Sequence, residues 1–201
     1  SMCQPALADQ PLLDQVLEGV ENRYSGQSFT ADFKQMSRLS ALDIVETATG
    51  KATFSHPGKM KWEYLQPETH QVVTNGQTLW IYKPLEKQVI KGDASRLFKA
   101  GAGGGFLSDI SMIREQFTVK LTEVSDTMAV IDMKSKNQSP DLSSIVLAID
   151  RKTNEIRQAT TYNIYDDTTR FDFSNIVFSP VADTVFEFTP PAGTDVIFMS
   201  E

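Results

Sequence analysis

The spacing of apolar residues changes once near the start of the chain, and that change separates a helical segment from a long alternating one. From Asp9 to Tyr24 the apolar positions Leu12, Leu13, Val16, Leu17 and Val20 recur three and four apart, so they share one face of an amphipathic helix. Acids early in the segment favour a helix start there, and residues 22–26 end it. About four turns of helix are long enough to lie across a sheet.

After Gln27 the period falls to two. Phe29, Ala31 and Phe33 alternate with polar residues, as do Ala48, Gly50, Ala52 and Phe54, and Met60, Trp62 and Tyr64 face away from Lys59, Lys61 and Glu63. Pro57-Gly58 and Gln66-Pro67-Glu68 mark turns. Asn75-Gly76 between two apolar runs predicts a tight two-residue hairpin, which pairs Thr74 with Gln77, Val72 with Leu79 and His70 with Ile81. Val72, Leu79 and Ile81 then share one face, and Thr78, Trp80 and Tyr82 the other.

Residues 93–116 interrupt the alternation. Residues 95–98 predict a short helix and residues 101–105 a flexible break; residues 106–115 predict a helix with Leu107, Ile110 and Ile113 in phase. Alternation resumes at Val119 and continues to Phe178, with turns at 125–126, 139–141, 151–154 and 166–167, and a last apolar stretch stands at residues 196–198. The pattern predicts about eleven short strands joined by tight turns, so neighbours run antiparallel. A sheet that wide must curl or close. The expected fold class is mainly β (α+β): an incomplete antiparallel β-barrel with an N-terminal helix and an inserted helical lid. No stretch is rich enough in Pro, Gly or Ser to be a linker, so residues 9–201 are expected to form one domain.

Composition narrows function more than fold. Charged residues are 22% and hydrophobic residues 40% of the 201, a globular balance. No apolar run approaches the roughly 18 residues that cross a bilayer as a helix. A net charge of -7 argues against nucleic acid as a partner. The 2 histidines, His56 and His70, and the 1 cysteine, Cys3, leave little material for a metal site, so no metal and no cofactor are expected. Against this stand 12 Phe, 7 Met, 5 Tyr and 2 Trp: the chain is rich in surface for apolar ligands and poor in reactive groups.

Ser1-Met2 reads as an expression scar and residues 3–8 as the remnant of a secretory signal peptide, with Ala6-x-Ala8 as its cleavage site. A mature chain starting at Asp9 is expected, exported and free of cysteine. Lipidation of Cys3, or a cytosolic N-terminus that happens to hold Ala-x-Ala, are the alternatives.

Catalytic signatures do not emerge. Gly101, Gly103 and Gly105 form a Gly-rich run, but Phe106 occupies the last glycine position of a dinucleotide loop and no Lys-Ser/Thr comes after it. A flexible hinge is the expected role. There is no G-x-S-x-G, H-E-x-x-H or C-x-x-C, so no catalytic residues are assigned and no enzyme is expected. The positive signal is one apolar face, carried on several strands by Phe33, Phe54, Met60, Trp62, Val72, Leu79, Ile81 and Phe173. These residues form either a solid core or the wall of a cavity, and the small Ala48, Gly50 and Ala52 leave volume for the latter.

In order along the chain, several segments resemble the periplasmic outer-membrane lipoprotein carrier family, LolA. They are the first helix, residues 28–35, residues 50–62 with His56-Pro57-Gly58 and Trp62, residues 75–84, and Phe186 to Ile197 with Thr189-Pro190-Pro191-Ala192-Gly193. The resemblance implies a half-open barrel under a helical lid, whose cavity holds the acyl chains of lipoproteins. It implies that a monomer in the periplasm takes cargo from an inner-membrane lipoprotein-releasing ABC transporter and yields it to an outer-membrane receptor. Carried onto this chain, the cavity residues are Phe33, Phe54, Met60, Trp62, Val72, Leu79, Ile81, Leu107, Ile110 and Phe173. His56 would latch the lid and Gly101, Gly103 and Gly105 would hinge it. The family usually has Arg where His56 stands, which makes a weaker, pH-sensitive or relocated latch the expectation. Alternative readings are a paralogue that carries another lipid and a lipid-sensing periplasmic regulator or scaffold.

Overall fold

A computed structural model describes residues 9–96, 107 and 109–200. The first helix, α1 (Asp9–Tyr24), has the bounds that its periodicity predicts. Its Leu13, Val16, Leu17, Val20 and Tyr24 are buried against the sheet. The buried Tyr24 hydroxyl accepts the Ile156 amide at 2.8 Å, which ties the end of the helix to a strand and leaves neither group orphaned.

Among the described residues twelve strands come after it, against about eleven expected. They are β1 (Ser28–Leu39), β2 (Ile44–Ser55), β3 (Lys59–Gln66), β4 (His70–Thr74), β5 (Thr78–Lys83), β6 (Gln88–Asp93), β7 (Phe117–Val124), β8 (Met128–Ser139), β9 (Leu142–Asp150), β10 (Ile156–Tyr162), β11 (Thr168–Phe178) and β12 (Asp195–Phe198). All lie in one open sheet, ordered β12-β6-β5-β4-β3-β2-β1-β11-β10-β9-β8-β7. Strands β1–β6 and β7–β11 pair antiparallel in chain order because their turns are tight; the pairs out of chain order are β1 with β11 and β12 with β6. The latter pair runs parallel, against the all-antiparallel expectation, because a long C-terminal segment brings β12 back to the edge.

The sheet is strongly curved. Strands β3 and β11 are three strand spacings apart, about 14 Å along a flat sheet. Trp62 of β3 and Phe171 of β11 nevertheless meet with ring centroids 5.1 Å apart. The enclosed face carries one continuous hydrophobic core, which joins α1 to Ile131, Met133, Ile145, Leu147 and Ile149 of β8 and β9 and to Phe29, Phe33, Phe54 and Met60 of β1–β3. On the opposite face Val73, Trp80 and Val89 form a second cluster, covered by Phe188 from the segment before β12.

The hairpin between β4 and β5 keeps the predicted faces but not the predicted register. Thr74 opposes Leu79 and Val72 opposes Ile81, a shift of two residues. The Asn75 side chain causes it: its Oδ1 accepts the amides of Gln77 and Thr78, both at 2.9 Å, and so builds the turn from a side chain. Only Gly76 takes a positive φ there.

The inserted segment is less helical than predicted. Among the described residues it holds two 3-10 turns (Ala94–Arg96 and Ile110–Met112) and a single helical turn, α2 (Ile113–Gln116), where helices over 95–98 and 106–115 are expected. Its apolar phase is nonetheless as expected: Leu107, Ile110 and Ile113 are all buried. The Gly101, Gly103 and Gly105 hinge lies outside the described residues.

Candidate functional site

The helix and the described residues of the inserted segment cover only part of the enclosed face. Beyond them a cavity of about 950 Å³ opens over β1–β6. That is near the top of the roughly 300–1,000 Å³ that small-molecule sites occupy. Trp62, Val72 and Phe171 form its buried floor, joined by Ile81, Ile90 and Met199. Its rim is polar: Gln35, Ser37, Glu46, Thr47, Glu68, His70 and Lys83, with Glu46, Thr47 and Glu68 exposed.

Strand geometry explains this division. Side chains on one face recur every second residue. On β1 that face reads Phe33, Gln35, Ser37; on β2 it reads Phe54, Ala52, Gly50, Ala48, Glu46; on β5 it reads Leu79, Ile81, Lys83. Each strand therefore carries the same face from a packed core, through an apolar cavity wall, to a polar rim. Ala48 keeps its stretch of wall open. Gly50 does not, since a Cβ there would lie 2.0 Å from the Glu63 carbonyl oxygen and 2.9 Å from Phe33.

Aromatic contacts fix the floor. Phe33 stands edge-on to Trp62 at 4.8 Å and to Tyr64 at 5.1 Å. Tyr64 stacks on His70 at 3.9 Å and donates its hydroxyl to Gln35 Oε1 at 2.6 Å. Burial raises the Tyr64 pKa, so the phenol stays protonated and keeps that donor. Burial also lowers the His70 pKa, aided by the Lys83 charge and opposed by Glu68, so the rim imidazole is neutral at pH 7.

The sequence-derived cavity residues divide into three groups. Trp62, Val72 and Ile81 line the cavity. Phe33 and Phe173 stand behind it, against Trp62. Phe54, Met60, Leu79, Leu107 and Ile110 are fully packed within the core and do not reach the cavity wall. Sequence reasoning missed Gln35, Ser37, Glu46, Glu68, His70 and Lys83. The signal was available, since the apolar face turns polar at the same end of every strand that builds the cavity.

His56 lies at the other end of β2. Its ring is 9% exposed, stacked on Phe29 and edge-on to Tyr24, and beside the backbone of Leu107. Neither ring nitrogen has a hydrogen-bond partner among the described residues. Burial lowers its pKa, while the backbones of Leu107 and Gln27 and the Asp109 charge pull the other way. Among the described residues, polar ties on the inserted segment include Arg114 of α2, which donates to Glu21 of α1 at 2.7 Å and lies 3.7 Å from Asp14, and Lys136 of β8, which donates to the Arg114 carbonyl at 3.2 Å. Among the described residues no cluster of His, Cys, Asp or Glu is arranged to hold a metal.

A single curved sheet, half filled by a helix and half left as an amphipathic cavity, defines an open half-barrel protein. A sequence model described as outer membrane lipoprotein carrier protein LolA matches residues 25–189, and the chain belongs to the LolA family. An outer-membrane lipoprotein carrier protein of Dechloromonas aromatica is 27% identical over 194 residues, covering 96% of this chain and 90% of the relative. One from Coxiella burnetii is 24% identical over 172 residues, covering 85% of this chain and 81% of the relative. Among solved structures, a conserved protein from Thermus thermophilus shares the fold with a TM-score of 0.60 at 11% identity, covering 94% of this chain and 99% of the other. A LolA superfamily protein from Nitrosomonas europaea does so at 0.52 and 12%, covering 87% and 97%. MucB does so at 0.56 and 17%, covering 94% of this chain and 66% of its own.

Proposed function

We propose that this chain is a periplasmic lipoprotein carrier that shields acyl chains in the cavity over β1–β6. The observation that carries the reading is the cavity itself, about 950 Å³ with an aromatic and aliphatic floor, in a chain of the LolA family. An acyl chain in water costs about 0.8 kcal/mol per methylene, so moving it between membranes requires a cover. Trp62, Val72, Ile81, Ile90 and Phe171 supply that cover without covalent chemistry. A monomer would take its cargo from a lipoprotein-releasing ABC transporter in the inner membrane and yield it to a receptor at the outer membrane. Phe33 and Phe173 would support the floor, and Leu107 and Ile110 would anchor the lid.

Release from membranes tests the reading. Purified protein incubated with membranes that carry a triacylated lipoprotein should hold that lipoprotein in the supernatant and pass it to fresh outer membrane. Uptake of free lipids without any lipoprotein complex would assign another lipid cargo. Lipid-dependent retention of a partner protein, again without lipoprotein transfer, would assign a regulator.

A further inference from the structure

We infer that the rim of the cavity selects its ligand by charge, preferring acylated ligands whose polar end carries a cation over those whose polar end carries a carboxylate. This rests on the reading that the cavity holds acyl chains and adds a rule for what is attached to them.

Three charged side chains line the cavity: Glu46 on β2, Glu68 before β4 and Lys83 at the end of β5. Other charges on or beside β1–β3 are engaged in the pairs Arg38–Asp43, Lys51–Asp32 and Lys61–Glu63. Glu46, Glu68 and Lys83 form no ion pair within 4.0 Å among the described residues, so their charges are available to a ligand. Glu68 and Lys83 act on the His70 ring with opposite sign. Glu46 stands on β2, and among the described residues that line the cavity Lys83 on β5 is the one cation. Among the described residues the rim therefore has an excess of one negative charge, and the net charge of -7 acts in the same sense.

A ligand with its tail on the floor brings its first polar groups to that rim. An ammonium there meets Glu46, and a carboxylate is repelled by it. Because Glu46 and Glu68 are exposed, solvent screens the effect to a few-fold.

Competition binding tests this with three N-palmitoylated tripeptide amides that differ at one position, Lys, Gln or Glu. The displaced probe is the neutral fluorophore N-phenyl-1-naphthylamine. At low salt the Lys peptide should displace it at about threefold to fivefold lower concentration than the Glu peptide, with Gln between. In the double variant Glu46→Gln, Glu68→Gln only Lys83 remains charged on the rim, and the order should reverse while the melting temperature holds. Equal displacement by all three peptides, or an unchanged order in the double variant, overturns charge selection but leaves acyl binding standing. Failure of every peptide to displace the probe overturns the acyl-chain reading itself.

Discussion

His56 sits where a positive charge is costly, between the rings of Tyr24 and Phe29 and with both nitrogens unpartnered among the described residues. Burial holds its pKa below the ordinary value near 6.5. The unfolded chain then binds the proton more readily than the folded one, so the penalty is absent above about pH 6.5 and grows as pH falls below it. Replacing His56 with Phe suits the aromatic neighbours and removes the proton. Expected is a melting temperature for the native chain that drops relative to His56→Phe between about pH 7.5 and pH 5.5; parallel curves would show that His56 charges freely in the fold. His70 shifts in the same direction, but it is present in both proteins and cancels. A second residue, Gly50, is constrained by space instead of charge: with the Glu63 carbonyl oxygen 2.0 Å from any Cβ, β2 and β3 must part to accept even alanine. Gly50→Ala should cost about 1–3 kcal/mol in urea unfolding, and a neutral result would mean that the strands separate there at no cost.

Local elements were legible in proportion to how local their causes are. The bounds of α1 follow from apolar spacing and a stop before Gly26, and both lie within the helix and its end. The buried phase of Leu107, Ile110 and Ile113 was equally readable, although the backbone that presents them is a 3-10 turn and one helical turn. The β4–β5 register was not, because Asn75 commits its side chain to the turn and a dipeptide pattern does not reveal that choice. Pairing of β12 with β6 joins segments about a hundred residues apart and leaves no periodic trace. The inserted segment is held on α1 by buried side chains and by Arg114 with Glu21 and Asp14, and that balance can be measured. Arg114→Ala should lower global stability by less than about 1 kcal/mol, since the pairs are partly exposed. Its larger effect should be faster amide hydrogen exchange across residues 110–117, with the strands unchanged. Unaltered exchange in that segment would assign its closure to Leu107, Ile110 and Ile113 alone.

At the scale of the whole molecule, the enclosed face is one surface used in two ways. Where α1 crosses it, Ile131, Met133, Ile145 and Leu147 are fully buried and the sheet has a solid core. Where none of the described residues crosses it, Val72, Ile81 and Ile90 line a cavity. The sequence pattern identified the face but not its division, because alternation shows which side a residue takes and not what covers it. Met60 and Ile81 have the same parity, yet Met60 is 0% exposed within the core while Ile81 is half-buried on the cavity wall. A carboxylate separates the two positions. At Met60 it would be sealed away from water and would unfold the protein. At Ile81 it keeps contact with solvent through the cavity, so the Ile81→Glu variant should fold with little change in melting temperature. An acyl chain, however, would have to displace that solvent and strand the charge. Affinity for a palmitoylated peptide should therefore fall at least about tenfold, equivalent to roughly 1.4 kcal/mol, while Ile81→Leu binds as the native chain does. Undiminished binding by a folded Ile81→Glu protein would move the acyl chain off this wall and detach the cavity from the carrier function.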